Sequence, residues 1–212
     1  MRSSAPVIAP WEHRSDACWR ELRAPLSFNM EQMLVLWQQD RDSAVYNMPT
    51  VVNLNLSREG EGASLIGRVR SALSWVVRRH EALRTRFGRS EDSSVGQQVI
   101  ASASSYCLPL QELSVSRHAE AVDALAWEAS RSFDLYSGPL ARFALVCVAR
   151  ESASTHTFEG ALGQVGDDDG QAALLVNMHH SISDGWSNGV LRRELVVASR
   201  ERSVCVTFLL DS

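Results

Sequence analysis

Lysine is absent from this 212-residue chain, in which all 21 basic residues are arginines. Without lysine, the chain cannot form a Schiff base with a carbonyl substrate, anchor pyridoxal phosphate or supply a P-loop lysine. Covalent amine catalysis and Walker-type nucleotide hydrolysis by this chain are therefore excluded. The net charge of −4 also lacks the basic excess of a nucleic-acid-binding surface, so we expect no nucleic-acid partner.

Cysteine is scarce and apolar runs are short. Cys18, Cys107, Cys147 and Cys205 are far apart and form no C-x-x-C pair, so we expect no metal site. Cys147 lies in an apolar run, where a buried thiol is expected. No run approaches the roughly 20 apolar residues of a membrane span, and residues 1–10 lack the apolar region of a signal peptide. We therefore expect a cytoplasmic protein with no membrane contact.

The hydrophobic pattern predicts an α/β fold (an α+β sandwich), in which helices pack on a mixed β-sheet. Residues 1–25 have no periodicity and predict a poorly ordered leader. Helices are predicted from Ser27, over residues 63–79, from Ser116 and from Ser187. Strands are predicted near residues 50–56, 83–87, 97–101, 140–148 and 172–178.

Local patterns sharpen these expectations. Asn53 alternates with Val52 and Leu54, which predicts a half-buried strand with the asparagine on the open face. Residues 172–178 are nearly all apolar, as expected of a central strand covered on both faces. Residues 151–171 are rich in Ser, Gly, Thr and Asp and predict a solvated loop between two strands. The third helix is predicted to share one face among Val122, Leu125 and Ala129.

The segment that carries chemistry is residues 178–189, where a buried strand ends and a helix begins, as sites in α/β sheets often do. Because strand residues alternate, we expect His180 on the open side and His179 buried and hydrogen-bonded. Asp184 and Gly185 predict a turn, in which the glycine permits a positive φ. A lone histidine is more often a satisfied core residue, but this combination favours a general base. The ordinary histidine pKa of about 6.5 suits that role.

A rival interpretation uses residues 185–189, which match the G-x-S-x-G nucleophile elbow of α/β-hydrolases. In that triad the order along the chain is serine, acid, histidine, and no histidine follows Ser187. The elbow also follows its strand directly, whereas a loop intervenes here. We therefore predict that Ser187 caps a helix and is not a nucleophile.

These motifs resemble the condensation domains of nonribosomal peptide synthetases, which belong with the chloramphenicol acetyltransferase-like acyltransferases. Residues 179–187 are similar to the HHxxxDGxS motif, residues 79–87 to RHExLRTxF, and residues 133–142 to FDLxxGPLxR. Residues 26–37 resemble the first family motif, although its arginine is missing, and residues 46–49 resemble its follow-on. The segments occur in the order that the family shows.

The resemblance also implies a domain organisation. Condensation domains have two similar lobes, with the site in the cleft between them, and this chain resembles the amino-terminal lobe over residues 26–196. Residues 151–171 are then a loop insertion and residues 197–212 a divergent tail at a truncation. The partner that would complete the site is the carboxyl-terminal lobe or another subunit.

The resemblance implies amide (peptide) bond formation between two acyl or aminoacyl thioesters held by peptidyl or aminoacyl carrier proteins. No cofactor binds the chain directly, because phosphopantetheine is carried by the partner carrier proteins. His180 is implied as general base or amine-positioning residue, with Asp184 and Gly185 in the catalytic set. Asp184 is expected to pair with Arg79, so Asp184→Asn should destabilise the loop. The structural support of the site is expected from His179, Arg79, Arg84, Trp186 and Ser187.

Two alternatives remain open. One is a stand-alone acetyltransferase of the chloramphenicol acetyltransferase type, with its site between subunits. The other is a non-catalytic, truncated remnant that docks a carrier protein. If the chain is a single lobe, it should self-associate and show no amide-forming activity on its own. Oligomeric state and carrier-protein binding distinguish these hypotheses.

Overall fold

The computed structural model describes residues 21–55, 65–89, 96–148, 171–200 and 205–207. Its helices are α1 (Phe28–Gln39), α2 (Leu65–Arg79), α3 (His118–Ser130), α4 (Gly185–Arg200) and a 3-10 helix (Glu81–Arg84). Its strands are β1 (Glu21–Pro25), β2 (Asn47–Asn55), β3 (Thr85–Gly88), β4 (Gln97–Ala101), β5 (Leu110–Val115), β6 (Ala141–Val148), β7 (Gln171–His179) and β8 (Cys205–Thr207).

The strands form two sheets. A three-stranded antiparallel sheet has the order β1-β4-β3, and a five-stranded sheet has the order β5-β6-β7-β2-β8. Within the larger sheet β5 and β6 are parallel, whereas the other neighbours are antiparallel. This mixed sheet with packed helices confirms the predicted fold class. In the described ranges, no helix combines the length and the apolar character needed to cross a membrane.

The larger sheet is buried on both faces. On β7, Leu174 and Val176 belong to the core shared with α1, α2 and α4. Ala173 and Leu175 point the other way and pack with Leu125 of α3. Burying each such leucine or valine stabilises the fold by about 1.5–3 kcal/mol relative to exposure. The two-sided burial explains the continuous apolar run and confirms β7 as a central strand.

Strand β2 is longer and more deeply buried than predicted. It begins at Asn47, because Asn47 and Met48 continue the antiparallel pairing with His179 and Met178 of β7. The prediction that Asn53 lies on an open face is wrong, since its side chain is buried. Helix α3 contacts β2 and β7 on the side opposite the main core, so that side is not open to solvent.

Two predictions in the first half of the chain need correction. Residues 21–25 are not a disordered leader but strand β1, which pairs along its length with β4. Polar and apolar residues alternate over residues 21–24, but this pattern is short and ends at a proline, and burial does not follow it because Leu22 is 58% exposed. Residues 83–87 were predicted to be a strand, but Leu83 and Arg84 close the 3-10 helix before β3 begins. Residues 1–20 lie outside the described residues.

Helix α3 begins later than predicted. Its N-cap is Arg117, without a side-chain cap, and the Ser116 amide instead donates to the Glu120 carboxylate. The predicted face is rotated, because Val122 is exposed while Leu125 is buried. The buried set also contains the charged Glu128, which the apolar pattern could not reveal.

Part of the predicted tail belongs to the fold. Residues 197–200 complete α4, and residues 205–207 form β8, which pairs with the end of β2. The predicted loop insertion lies outside the described residues, except Gln171, which begins β7. Cys147 is half-buried, and burial raises the pKa of its thiol.

Candidate active site

The carboxyl end of β7 places the two histidines between two neighbouring strands. The His179 amide donates to the Leu140 carbonyl (2.9 Å) just before β6, and the His180 amide donates to the Tyr46 carbonyl (2.8 Å) just before β2. After His180 the chain turns and enters α4 at Gly185. We call residues 179–184 the histidine loop.

His179 is a core residue with 4% of its surface exposed. Its Nδ1 accepts the Ser181 amide (3.1 Å) and lies 2.9 Å from the Ser181 hydroxyl. The ring packs edge-on against Tyr46 and Phe133. Burial, and secondarily the nearby His180, lowers the pKa of His179 to about 4. The ring is therefore neutral at neutral pH, with its proton on Nε2 because Nδ1 accepts a hydrogen bond.

His180 is exposed, unlike its neighbour. Its Nδ1 lies 2.7 Å from the Ser183 carbonyl oxygen. Because a carbonyl can only accept, Nδ1 carries the proton and a neutral ring keeps the lone pair on Nε2. The predicted arrangement, with His179 buried and hydrogen-bonded and His180 exposed, is confirmed.

Asp184 begins α4 rather than pairing with an arginine. Its Oδ1 accepts the Ser187 amide (2.7 Å) and the Ser187 hydroxyl (2.6 Å), which is the geometry of a helix N-cap. The Ser187 hydroxyl and amide lower the pKa of the Asp184 carboxyl. The N-cap is therefore Asp184, and the prediction that Ser187 is the cap is wrong. Ser187 instead supplies the backbone N–H that the cap accepts.

Arg79 lies at the end of α2 and pairs with Glu194 of α4, with 3.0 Å between Nε and Oε1. The other carboxylate oxygen lies 2.6 Å from His80 Nε2. Although burial raises the pKa of Glu194, hydrogen bonds from His80 and Arg79 lower it overall. The predicted Asp184–Arg79 pair is wrong, because each group already has a nearer partner. Arg79 joins α2 to α4 and does not reach the histidine loop through Asp184.

Gly185 does not need a special backbone conformation. Among the described glycines only Gly138 has a positive φ, at 63°. Gly185 is the first residue of α4, and a Cβ there would meet nothing within 4 Å. The expectation of a positive-φ turn at Gly185 is therefore wrong. Trp186, which was predicted to support the site, is 78% exposed.

Arg84 is buried and satisfies carbonyls at the end of α2. Its Nε donates to the Val77 carbonyl (3.0 Å), and its Nη1 donates to the Ala101 carbonyl of β4. Terminal carbonyls of a helix lack partners within the helix, so this side chain stabilises the junction between α2 and β4. Arg84 thus holds α2 against β4, and these hydrogen bonds go to neither histidine.

Three further residues hold the loop and were not singled out from sequence. The Tyr46 carbonyl accepts His180, the Ser183 carbonyl fixes the His180 ring, and Met48 Sδ lies 3.5 Å from the Ser183 hydroxyl. Tyr46 and Met48 lie in residues 46–49, which resemble the follow-on of the first family motif. That resemblance is the sequence feature that could have pointed to them. The Ser183 contact uses a backbone carbonyl, for which side-chain patterns give no signal.

Comparison with known families matches residues 21–156 to the Condensation domain model, a span that ends before the histidine loop. The chain is 33% identical over 183 residues to a linear gramicidin synthase of Brevibacillus parabrevis, covering 83% of this chain and 3% of that protein. It is 35% identical over 174 residues to surfactin synthase subunit 2 of Bacillus subtilis, covering 82% and 4%. Phosphinothricin tripeptide synthetase PhsC of Streptomyces viridochromogenes is 34% identical over 177 residues, covering 81% and 14%. The chain thus spans a small part of each relative.

Solved structures share the fold. The starter condensation domain of rhizomide synthetase RzmA superposes with a TM-score of 0.63 at 19% identity, covering 86% of this chain and 38% of that chain. The condensation domain of the Monacolin K polyketide synthase MokA gives a TM-score of 0.61 at 18% identity, covering 90% and 36%. At these identities the similarity establishes the fold and leaves the roles of individual residues to be argued from geometry.

Proposed function

The chain belongs to the condensation-domain family, and we propose that it takes part in forming an amide bond between two acyl groups held as thioesters. The amine of the acceptor attacks the carbonyl carbon of the donor thioester. The C–N bond forms, the C–S bond breaks, and the donor thiol leaves with a proton. One of the named relatives is a tripeptide synthetase, which favours an aminoacyl acceptor.

The observation that carries this proposal is that His180 is exposed and that its Nε2 keeps the lone pair in the neutral ring. Its Nδ1 is occupied by the Ser183 carbonyl, so the lone pair on Nε2 is directed away from that contact. This nitrogen accepts the proton that the amine loses, or positions the amine and stabilises the tetrahedral intermediate. The chemistry requires neither a covalent intermediate on the chain nor a metal ion.

Asp184 and Gly185 act on the geometry of the loop. Asp184 fixes where α4 begins, and the loop between β7 and that point carries His180. The amide of Gly185 lies in the first turn of α4, where backbone N–H groups lack acceptors within the helix. It is therefore available to a developing negative charge on the substrate. His179 supports the site by filling the core beneath the loop.

The proposed partners are peptidyl or aminoacyl carrier proteins, which present their acyl groups on phosphopantetheine, and a second lobe that covers the site. Large apolar side chains next to functional segments favour such a cover. Trp186 follows Gly185 and is 78% exposed, and Phe28 at the start of α1 is 81% exposed.

The test combines the chain with a separately expressed carboxyl-terminal lobe of a condensation domain. Donor and acceptor carrier proteins are loaded with a panel of proteinogenic amino acids, and the dipeptidyl thioester is detected by mass spectrometry. We expect product from the combination and none from the chain alone. Inactivity of the combination with a folded chain that still binds carrier proteins would favour a non-catalytic docking role. Activity of the chain alone, as an oligomer, would favour the acetyltransferase-like alternative.

A further inference from the structure

The carboxyl end of α3 is capped by side chains from other strands rather than by a local motif. The C-cap residue Arg131 has φ −69° and ψ 131°, so no left-handed residue closes the helix. The carbonyls of residues 128, 129, 131 and 132 instead accept from Asn47 of β2, Arg142 of β6 and Asn177 of β7. Such carbonyls have no partner within the helix and need one when buried. We call this arrangement the α3 cap.

Asn47 uses both hydrogens of its carboxamide in the α3 cap. Its Nδ2 donates to the Ala129 carbonyl at 2.7 Å and to the Arg131 carbonyl at 2.8 Å. Asn47 is also the first residue of β2 and lies opposite His179 in the sheet. The Tyr46 carbonyl, which accepts the His180 amide, belongs to the peptide bond that precedes Asn47. The residue that caps α3 is thus joined directly to the group that holds the His180 backbone.

The α3 cap also holds the other side of the histidine loop. The Arg142 guanidinium lies over the Phe133 ring (3.8 Å), and Phe133 packs edge-on against the His179 ring. Glu128, which is 1% exposed, neutralises Arg142 at 2.7 Å. Buried charges are costly unless paired, so this cluster permits few alternative arrangements. Asn47 is the member of the cap that directly follows Tyr46, whose carbonyl accepts the His180 amide.

We propose that Asn47 is a positioning residue for His180, holding the Tyr46 carbonyl where it fixes the His180 backbone and thereby the Nδ1–Ser183 contact. The proposal rests on the proposed function of His180, since it names the residue that orients that side chain. Losing the Asn47 carboxamide releases the start of β2 from α3. His180 then loses its fixed backbone partner, and its ring is no longer restricted to the Nδ1-protonated form.

The test uses the full chain, labelled with ¹⁵N and with ¹³C,¹⁵N-histidine, and compares Asn47→Ala with Asn53→Ala. Asn53 is a matched control because it is a buried asparagine of the same strand, farther from the loop. In Asn47→Ala, we expect the His180 amide to exchange roughly ten- to a hundred-fold faster relative to the core amide of Leu174, as for lost buried hydrogen bonds. Long-range ¹H–¹⁵N spectra should show His180 shifting toward the Nε2-protonated form. Asn53→Ala should change neither.

The proposal is overturned by the following result in Asn47→Ala. The His180 amide loses no more protection from hydrogen exchange than the Leu174 amide does, and the His180 ring stays in its Nδ1-protonated form. Should Asn47→Ala not fold, the wild-type chain provides the measurement. In low urea, the His180 amide and the Asn47 carboxamide protons should then open together. Exchange of His180 while the Asn47 carboxamide stays protected would also overturn the proposal. Neither readout requires catalysis, so failure of amide formation and failure of this inference are distinguishable.

Discussion

Two adjacent histidines of this chain have opposite environments. His179 is buried, accepts hydrogen bonds at Nδ1 and carries its proton on Nε2, whereas His180 is exposed and carries its proton on Nδ1. Strand alternation sends one ring into the core and the other out of it. The hydrogen-bond partners then assign opposite ring nitrogens as donors. The pair thus shows that local partners, rather than residue type, decide which histidine can take a proton.

The two histidines are also held by different kinds of contact. His179 is fixed by packing against Tyr46 and Phe133, which a substitution in the core would disturb. His180 is fixed by backbone carbonyls of Tyr46 and Ser183, which no side-chain substitution at those positions removes directly. Changes at His179 should therefore appear mainly in stability, and changes at His180 mainly in activity.

The largest expected effect comes from His180→Ala in the chain combined with a carboxyl-terminal lobe. Losing a positioned proton acceptor should lower the rate of amide formation by about 10²–10⁴-fold. Because His180 is exposed, the unfolding midpoint should stay close to that of the wild type. His179→Ala is the matched comparison and should lower the free energy of unfolding by about 2 kcal/mol. If a folded His179→Ala protein loses as much activity as His180→Ala, the proposed division of roles fails.

The next largest effect is the pH dependence of stability from His179. Its pKa is lowered from 6.5 to about 4 by burial, so the unfolded chain binds this proton more readily than the folded chain. The stability that the folded state gains from keeping this ring neutral is fully present above pH 6.5, decreases as the pH falls, and is lost near pH 4. Between these two pH values, this group should change the free energy of unfolding by about 3 kcal/mol.

The measurement is urea unfolding of the wild type and of His179→Gln across this range. Glutamine cannot titrate, so the variant should lack this part of the slope while retaining the contributions of the carboxyl groups. Equal slopes in the two proteins would contradict the buried neutral state of His179.

The sequence anticipated the inward–outward division because strand alternation is a local rule that His179 and His180 obey. It did not anticipate the role of Asp184, because the nearest donors come from α4 itself, and Arg79 finds Glu194 on the facing side of that helix. Strand β1 was also missed, since its polar–apolar alternation covers only residues 21–24 before a proline and its pairing with β4 buries neither face cleanly. What the sequence could not supply was therefore the choice among several possible partners in space.

A smaller effect on thermal stability distinguishes two ways in which Asp184 could hold the end of the histidine loop next to α4. Asparagine caps helices about as well as aspartate, so Asp184→Asn should change the melting temperature little, contrary to the expectation from an ion pair. Asp184→Ala removes the acceptor for Ser187 and should lower the melting temperature more. Thermal unfolding by circular dichroism gives the ranking. If Asn and Ala variants lose equal stability, the negative charge rather than the cap is what holds the loop.

The smallest expected effect is that of Gly185→Ala, which tests whether the first residue of α4 has to be a glycine. A Cβ at position 185 has nothing within 4 Å, and its φ is not in the left-handed region, so the free energy of unfolding should hardly change. Gly138→Ala is the contrasting control. Its φ is +63° and its Cβ would lie 3.2 Å from Arg86 Cβ, so it should cost about 1 kcal/mol or more.

Alanine at position 185 also keeps the backbone N–H, so amide formation should stay within about two-fold of wild type if the N–H is what Gly185 supplies to the substrate. The rate is measured in the combined two-lobe assay, alongside the urea midpoint. A loss of activity at unchanged stability would give a sharper result. It would mean that the space beside Gly185, open in the described residues, is where the thioester approaches His180. The glycine would then be required for access and not for the conformation of the loop.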